Sequence, residues 1–326
     1  MLTRVAFENL TELTHLDGVW RYPGEWAVLD AALAERYIAR GLALPLAVPV
    51  GHGAADPADP CDAPLPAPPR RTGHIVAAYA LEGDDEYLAA SVESIYQFAD
   101  RILLAAPGNE APHGLPDPVG KIEVLRGTGH DLADQRRACA QRLRPGDWLL
   151  PLSADEVCTA AGLHRLAQLM QDYEVIVAAT WMFWNNFRTL GTGRWDEARE
   201  VKALRWRAGY HYRHHACPAD AAGRLVTANG TLALRTAERF SCRYAWVRPR
   251  AALPLQVERW RRRHGDLRPR YLEQVFLRWR REPQLVERRY GTHPRGAGGT
   301  RQFAGAHPEP IARRLASGEL GGEAYQ

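Results

Sequence analysis

Residues 148–157 have the sequence WLLPLSADEV, in which an apolar run is followed, after Ser153 and Ala154, by two adjacent carboxylates. The run follows the turn-forming pair Pro145-Gly146, and it predicts a buried β-strand from Trp148 to Leu152. Charged groups beside a buried strand are costly unless they meet a cation, a base or a helix N-terminus. Asp155 and Glu156 are therefore the first candidates for a functional site, with an ordinary helix cap at this turn as the alternative.

Strands and helices alternate on the N-terminal side of this segment. Three more apolar runs predict strands, at Ile75 to Tyr79, Arg101 to Ala106 and Lys121 to Leu125. Two segments with helical periodicity predict helices, at Asp85 to Gln97 and Leu132 to Leu143. This alternation predicts an α/β fold with a mostly parallel sheet flanked by helices. Ligands of such sheets bind beyond the carboxyl ends of the strands, where the residues after Leu152 lie.

Composition divides the chain into four regions. Residues 1–49 predict a small β-rich accessory module with one helix, which we expect to stabilise the protein or dock a protein partner. Residues 50–73 are rich in Pro and Ala and predict a linker. Residues 74–290 form the main domain, with a helical C-terminal region. Residues 291–326 are rich in Gly and Pro and predict a loosely ordered tail.

The overall composition excludes several classes of protein. The chain has 326 residues, of which 46% are hydrophobic and 25% charged, as in globular proteins that bury a sizeable core. Its longest apolar stretch, residues 42–50, contains two prolines and is about half the length that a membrane-spanning helix needs. The N-terminus has no apolar signal segment, so we expect a cytoplasmic protein. Five scattered cysteines indicate reduced thiols rather than a disulfide framework or a zinc ribbon.

Residues 256–290 hold the basic excess of a chain whose net charge is +4. They contain eleven arginines and five acidic residues. Apolar spacing predicts two helices here, over residues 256–264 and 271–281, with the arginines opposite the apolar sides. A solvated helix face is the first interpretation. Contact with an anionic membrane surface and binding of nucleic acid are the alternatives, and we expect no nucleic-acid partner.

Four segments, in this order along the chain, resemble the pattern of family 2 glycosyltransferases with the GT-A fold: HIVAAYALEGDDEYLAASVESI (74–95), ADRILLAAP (99–107), HDLADQRRACAQRL (130–143) and GDWLLPLSADEV (146–157). The resemblance implies transfer of a sugar from a nucleotide-sugar donor to a hydroxyl of a glycan, lipid-linked or protein acceptor, with inversion. It also implies a divalent cation, Mn²⁺ or Mg²⁺, that neutralises the diphosphate of the donor.

The resemblance assigns roles to several residues. In that family the strand ends in an acidic motif whose carboxylates hold the cation. Here Ser153 replaces the first acid, so Asp155 is expected as the metal ligand, and Ser153 and Glu156 are expected as its cofactor-binding neighbours. Asp131 and Arg136 fall where the family contacts the donor's base, ribose or phosphates. A solvated arginine on a helix face is the equal alternative for Arg136.

The segment KALRWRAGYHYRHHA, residues 202–216, is similar to a family segment that returns a histidine toward the cation. His215 matches that histidine and is expected as a second metal ligand. A surface strand is the alternative for this histidine-rich run. Asp220 is the candidate base that deprotonates the acceptor hydroxyl, and an aspartate in a solvent-exposed turn is its alternative.

Residues 180–188, TWMFWNNFR, place large aromatic side chains beside two amides. Aromatic faces stack on sugar rings, and amides reach sugar hydroxyls. Only one side of a strand faces a cleft, so we expect Trp184 and Asn186 to contact a sugar and Trp181 and Phe183 to pack in the core.

Two other classes of function stay open at this stage. A glycosyltransferase-like domain that lacks one metal acid could serve as a non-catalytic carbohydrate-binding or assembly protein. An arginine-rich nucleic-acid-binding protein is the third interpretation, and steep salt dependence of binding would distinguish it.

Overall fold

The computed structural model of the chain describes residues 2–6, 14–16, 19–21, 26–39, 44–45, 73–82, 86–108, 112, 114–129, 131–184, 186–191, 200–213, 218–229, 232–249, 252 and 300–321. The predicted linker up to residue 72 lies outside the described residues. His215 and both helices predicted within 256–290 also lie outside them. The interpretations of these segments therefore stay predictions.

Within the described residues, the N-terminal region contains five strands and one helix. Strands β1 (Leu2–Ala6), β4 (Trp26–Asp30) and β5 (Leu44–Pro45) form an antiparallel sheet in the order β4-β1-β5. Strands β2 (Thr14–Leu16) and β3 (Val19–Arg21) form a separate hairpin. Helix α1 (Ala31–Ala39) directly follows β4.

The main domain contains a ten-stranded sheet within the described ranges. Its strands are β6 (Ile75–Ala80), β7 (Arg101–Ala105), β8 (Ile122–Leu125), β9 (Trp148–Leu152), β10 (Glu156–Cys158), β11 (Val175–Trp184), β12 (Thr189–Gly191), β13 (Glu200–Arg205), β16 (Ala233–Trp246) and β17 (Thr300–Gln302). A hairpin of β14 (His211–Tyr212) and β15 (Pro218–Ala219) lies outside this sheet. The helices are α2 (Leu88–Ile95), α3 (Leu132–Ala140), α4 (Ala160–Asp172), α5 (Val226–Asn229) and α6 (Glu309–Ala316).

The sheet is mixed but mostly parallel, as the sequence predicts. Its main path has the order β10-β16-β11-β13-β9-β6-β7-β8. Strands β13 and β10 run antiparallel to their neighbours, and the other six strands on this path share one direction. The chain leaves β6 toward β7 and β8 and then returns to β9 on the opposite side of β6. The carboxyl ends of β6 and β9 therefore flank the point where the strand order reverses, which is the usual ligand position in open α/β sheets.

Helices cover both faces of this sheet. In β6, Ile75, Ala77 and Tyr79 belong to the core under α2 and α4, whereas Val76 and Ala78 belong to the core under α3. All five residues are almost completely buried. This alternation is the period of two expected for a strand between two layers of helices. Among the described residues, no helix combines the length and apolar character that a membrane crossing requires.

The predicted helices are present but shorter than their apolar periodicity suggests. Helix α2 begins at Leu88, after the turn residue Tyr87, and ends at Ile95. Helix α3 begins at Leu132 as predicted, but ends at Ala140 because the chain continues as turns toward Arg144.

The prediction of a loosely ordered tail is wrong for residues 300–321. Strand β17 pairs with β12 in antiparallel register. Helix α6 buries Ile311, and Leu320 follows it into the same cluster. Phe183 and Tyr244 form the opposite side of that cluster. A few well-spaced apolar side chains thus outweigh the Gly- and Pro-rich composition of the segment.

Candidate functional site

Arg136 lies beneath the crevice between β6 and β9. Its guanidinium donates to the carbonyl oxygens of Ala78 in β6 (Nη1 to O, 2.6 Å) and Leu152 in β9 (Nη2 to O, 2.8 Å). The residue is 9% exposed. Arg136 is therefore neither a solvated helix-face arginine nor, contrary to the prediction, a free phosphate contact. It holds the ends of the two strands together and so positions the crevice.

Asp131 caps the helix that carries Arg136. Its side-chain oxygen accepts a hydrogen bond from the backbone N–H of Ala133 at 2.6 Å. This is the ordinary use of an aspartate at a helix N-terminus. The structure accounts for Asp131 without a donor nucleotide.

A tight turn connects β9 to β10 at the edge of the crevice. The N–H of Glu156 donates to the carbonyl of Ser153, and the N–H of Tyr244 donates to the carbonyl of Asp155. Strand β10 then pairs with β16, with Glu156 opposite Arg243. This register brings cationic side chains of β16 to the carboxylates that follow β9.

Asp155 lies between two arginines. Nε of Arg243 is 3.2 Å from Oδ1 of Asp155, and Nη2 of Arg248 is 3.9 Å from its Oδ2. Arg243 also donates to Oγ of Ser153 and, at 2.7 Å, to Oε1 of Glu200. Desolvation works against the charged form of Arg243. The carboxylates of Glu200, Asp155 and Glu156 outweigh it, so the pKa of Arg243 is raised and the group stays charged.

Glu156 points into the protein rather than into the crevice. Oε1 of its carboxylate lies 2.7 Å from Nζ of Lys202 and accepts a hydrogen bond from Ser241. Both members of the ion pair are buried. Desolvation would lower the pKa of Lys202, but Glu156 and Glu200 outweigh it and raise that pKa. Glu156 is therefore a buried structural acid.

Glu200 joins the two parts of this charge network. Its carboxylate contacts Lys202 at 3.3 Å and Arg243 at 2.7 Å. Desolvation would raise the pKa of Glu200, but the two cations hold it well below its usual range. The side chain is 45% exposed, so solvent screens its charge more than that of Glu156.

The residues present at this turn do not fit a divalent cation. Mn²⁺ and Mg²⁺ need carboxylate oxygens that are free to coordinate. Both oxygens of Asp155 face guanidinium groups, Ser153 supplies a hydroxyl instead of an acid, and Glu156 is bound to Lys202. Within the part of the chain that the structure describes, no group of three or more His, Cys, Asp or Glu side chains could hold a metal ion.

The carboxylate of Asp220, the predicted base, is bound within its own turn. It accepts hydrogen bonds from the backbone N–H groups of Ala222 and Arg224, both at 2.9 Å, and pairs with the Arg224 guanidinium. These hydrogen bonds lower the pKa of Asp220. Asp220 therefore corresponds to the turn aspartate that was its alternative, and not to a base poised over a ligand.

The structure reverses the predictions for two tryptophans, of which Trp184 was expected to contact a sugar and Trp181 to pack in the core. Trp184 is 1% exposed and packs against Trp246, with 5.4 Å between the ring centroids, so it is a core residue. Trp181 is instead only partly buried. The guanidinium groups of Arg239 and Arg301 lie 4.2 and 4.9 Å from its ring centroid. Phe183 is completely buried, as predicted.

Asn186 is half-buried, and its side-chain oxygen accepts a hydrogen bond from the backbone N–H of Arg188 at 2.8 Å. The side chain thus stabilises the turn between β11 and β12. No contact of Asn186 with the residues around Asp155 is present among the described side chains.

Sequence reasoning missed the cations of this site, which are Lys202, Arg243 and Arg248. One signal in the sequence could have revealed Arg243. In β16, polar residues alternate with apolar ones, as Arg239, Ser241 and Arg243 with Phe240, Cys242 and Tyr244. A buried strand with polar side chains at every second position indicates a polar site on one of its faces.

No protein-family model matches the sequence, and none of the curated proteins compared with it matches significantly. Among solved structures, the chain is similar to S. aureus TarS with a TM-score of 0.35 and 10% identity, over 52% of this chain and 36% of that one. For a structure of TarS 1-349 the TM-score is 0.34 and the identity 8%, over 57% and 65%. For GalNAc-T7 with UDP, GalNAc and Mn²⁺ the values are 0.29 and 16%, over 40% and 29%. The chain thus spans less than two thirds of the length of each of these structures.

Proposed function

We propose that the chain is a glycosyltransferase that moves a sugar from a nucleotide-sugar donor to a hydroxyl acceptor. The donor's diphosphate binds at the crevice between the carboxyl ends of β6 and β9. The observation that carries this proposal is the cluster of Asp155, Arg243 and Arg248 at the turn that follows the carboxyl end of β9, the strand beside which the strand order of the sheet reverses.

The chemistry of the cluster supports a diphosphate ligand. A nucleoside diphosphate leaves readily only when positive charge neutralises the charge that develops on it. Guanidinium groups suit this task because their planar N–H donors match pairs of phosphate oxygens. The guanidinium of Arg243 lies beside Ser153 and Asp155, and that of Arg248 lies beside Asp155, at the turn that follows β9.

The family resemblance supports the same function. Its four segments coincide with β6 and α2, with β7, with α3 and with β9, which are the elements around the crevice. The resemblance further implies an inverting reaction. The bond between the anomeric carbon and the diphosphate oxygen breaks, and its electron pair leaves with the diphosphate. The acceptor oxygen forms the new bond and gives up its proton to a base.

A non-catalytic sugar-binding protein is the second candidate. It is favoured by the pairing of Asp155 with cations and by the burial of Glu156, which leave neither carboxylate free to react. Such a protein would bind a nucleotide-sugar or a glycan without releasing a nucleoside diphosphate. The two candidates therefore differ in turnover and not in ligand binding.

Thermal melting of the full chain with UDP-, GDP- and dTDP-sugars tests the proposal, with each donor measured in EDTA and in Mn²⁺. A bound donor at a hundredfold excess over its Kd stabilises the fold by about 2.7 kcal/mol, which raises the Tm by a few degrees. Donors that raise the Tm are then assayed for release of nucleoside diphosphate with mixed glycan acceptors.

Hydrogen exchange locates the bound donor in the same samples. Protection is expected at residues 79–82 and 152–156, which flank the crevice. Residues 164–172 of α4 serve as the internal control and should exchange at an unchanged rate. If no donor raises the Tm under either condition, the proposal is wrong. Binding without release supports the non-catalytic candidate.

A further inference from the structure

We infer that Arg243 and Arg248 together take the place of a divalent cation, so that the chain binds a diphosphate through guanidinium groups and does not require metal. This inference rests on the proposed function, because it specifies how the donor's diphosphate is held. It corrects the expectation of a metal at Asp155.

The first argument is that Arg248 is buried without a hydrogen bond to the described part of the chain. Its side chain is 6% exposed, yet it makes no hydrogen bond with any described residue. The nearest carboxylate oxygens belong to Glu86, 3.6 Å from Nη1, and Asp155, 3.9 Å from Nη2, which is beyond hydrogen-bond distance. Nε is fully buried without a partner, and the guanidinium carbon lies 5.0 Å from the ring centroid of Tyr87.

A buried guanidinium without hydrogen bonds is costly, because each unsatisfied donor loses its water and gains nothing in return. An anionic ligand removes this cost by accepting from the same donors. Phosphate oxygens are the best acceptors for such a group. Arg248 is therefore a cation whose two long ion pairs leave its N–H donors available to a ligand.

The second argument is the fixed geometry of Arg243. Three of its N–H donors are used, by Asp155, Ser153 and Glu200. A guanidinium has five such donors, so Arg243 keeps donors for an anion while its position is already set. Fixing a charged side chain before the ligand arrives reduces the entropy lost on binding.

The third argument is the number of charges around Asp155. Two guanidinium groups face Asp155, with Glu200 and Glu86 as their other carboxylate neighbours, and Ser153 in place of an acid keeps a further negative charge out of the cluster. The two arginines together carry the same charge as Mn²⁺ or Mg²⁺. Asp155 is then a positioning residue that orients both arginines, and not a metal ligand.

Isothermal titration of the full chain with inorganic pyrophosphate tests the inference without knowledge of the donor sugar. The titration is run in EDTA and again in Mn²⁺, with pyrophosphate below the concentration at which its manganese salt precipitates. The nucleoside diphosphate-sugar that raises the Tm most is titrated in the same way. We expect binding in EDTA, and no gain in affinity when Mn²⁺ is present.

Substitution of Arg248 tests the assignment to this residue. R248Q should weaken pyrophosphate binding in EDTA roughly tenfold or more, as expected for the loss of a buried charge-assisted contact. R248K keeps the charge but loses the planar fork and should give an intermediate affinity. R101Q is the matched control, because Arg101 pairs with Glu123 on another part of the sheet and should bind as the unmodified chain does.

D155N separates a positioning carboxylate from a metal ligand. If Asp155 only orients arginines, D155N changes the affinity for pyrophosphate by the same factor in EDTA and in Mn²⁺. If Asp155 coordinates a metal, D155N abolishes binding that depends on Mn²⁺. Melting of each variant without ligand confirms that it folds, and R248K provides the Arg248 result if R248Q does not fold.

The outcomes distinguish this inference from the proposed function. Donor binding that requires Mn²⁺ overturns the inference and leaves the proposed function standing. Metal-independent binding that R248Q does not weaken overturns the assignment to Arg248. Pyrophosphate binding without any donor binding keeps the arginine site and overturns the proposed function. Absence of binding by both ligands overturns both.

Discussion

The ammonium nitrogen of Lys202 lies 2.7 Å from the carboxylate of Glu156, and the two side chains are 3% and 1% exposed. The pair joins β13, which contains Lys202, to the first residue of β10. Ser241 of β16 donates to the same carboxylate oxygen. This buried ion pair therefore fixes the side of the candidate site that faces the protein interior.

Replacement of Lys202 by methionine should destabilise the protein by roughly 3–5 kcal/mol, because it leaves the buried charge of Glu156 without compensation. Urea unfolding followed by circular dichroism measures this change. The double variant K202M/E156L removes both charges and should recover most of the loss. A single variant that loses less than about 1 kcal/mol would show that Glu156 reaches solvent.

The buried imidazole of His307 should make stability depend on pH. Burial lowers its pKa from 6.5 to about 4, and Tyr244 lies 2.8 Å from its Nδ1. Between these values the unfolded chain binds the proton and the folded protein does not. Stability is therefore full above pH 6.5 and falls as the pH drops toward 4, by on the order of 3 kcal/mol.

Unfolding free energies measured at half-unit pH steps between 7 and 4 test this dependence. The variant H307Q keeps an acceptor for Tyr244 but cannot be protonated. The part of the pH dependence of the unfolding free energy that His307 causes should therefore disappear, while the part caused by other groups remains. An identical slope in both proteins would contradict the assignment.

Truncation of Ile311 to alanine should reveal how much helix α6 stabilises the sheet. Ile311 is completely buried against the cluster that contains Phe183 and Tyr244. Loss of such a side chain costs roughly 2–5 kcal/mol, which includes the cavity that remains. The control V119A changes a side chain that is 70% exposed and should stay within about 0.5 kcal/mol. Equal effects of the two substitutions would mean that α6 does not pack as described.

Gly162 in α4 should not tolerate alanine. A Cβ atom at this position would lie 2.3 Å from the carbonyl oxygen of Phe240, in the backbone of β16. Helix and strand must then move apart, at a cost of roughly 1–3 kcal/mol that exceeds the gain in helix propensity. Thermal melting measures the loss, and Q171A on the exposed side of the same helix is the control. A G162A variant as stable as the control would refute this close approach.

The strands could be predicted well because their signal is local. Apolar runs bounded by turns placed β6 and β9 to within about a residue of their observed ends, and the alternation with helices gave the mostly parallel sheet. Helix ends were less predictable, since the apolar periodicity of Leu132 to Leu143 continues through turns after Ala140.

The arrangement of the site could not be predicted, because it depends on pairing between distant strands. Arg243 is 88 residues away from Asp155 in sequence, and only the register between β10 and β16 brings them together. Trp181 and Trp184 of β11 were assigned to the wrong environments for a similar reason. Helices and the C-terminal segment cover both of its faces, and the register with β16 shifts between Ala179 and Trp181, so alternation alone does not tell which tryptophan is buried.

The return of the C-terminal segment to the sheet has a consequence for the time course of folding. The ion pair between Arg313 of α6 and Glu93 of α2 joins residues 220 positions apart in the chain. At translation rates of roughly 5–20 residues per second, Glu93 leaves the ribosome about 10 to 45 s before its partner. In the last part of that interval, from the synthesis of Tyr244 to that of Ile311, the aromatic cluster of Phe183 and Tyr244 has no α6 to cover it. The nascent chain thus exposes an aggregation-prone apolar surface until synthesis has passed Ile311. We expect a chaperone to bind the chain at this stage.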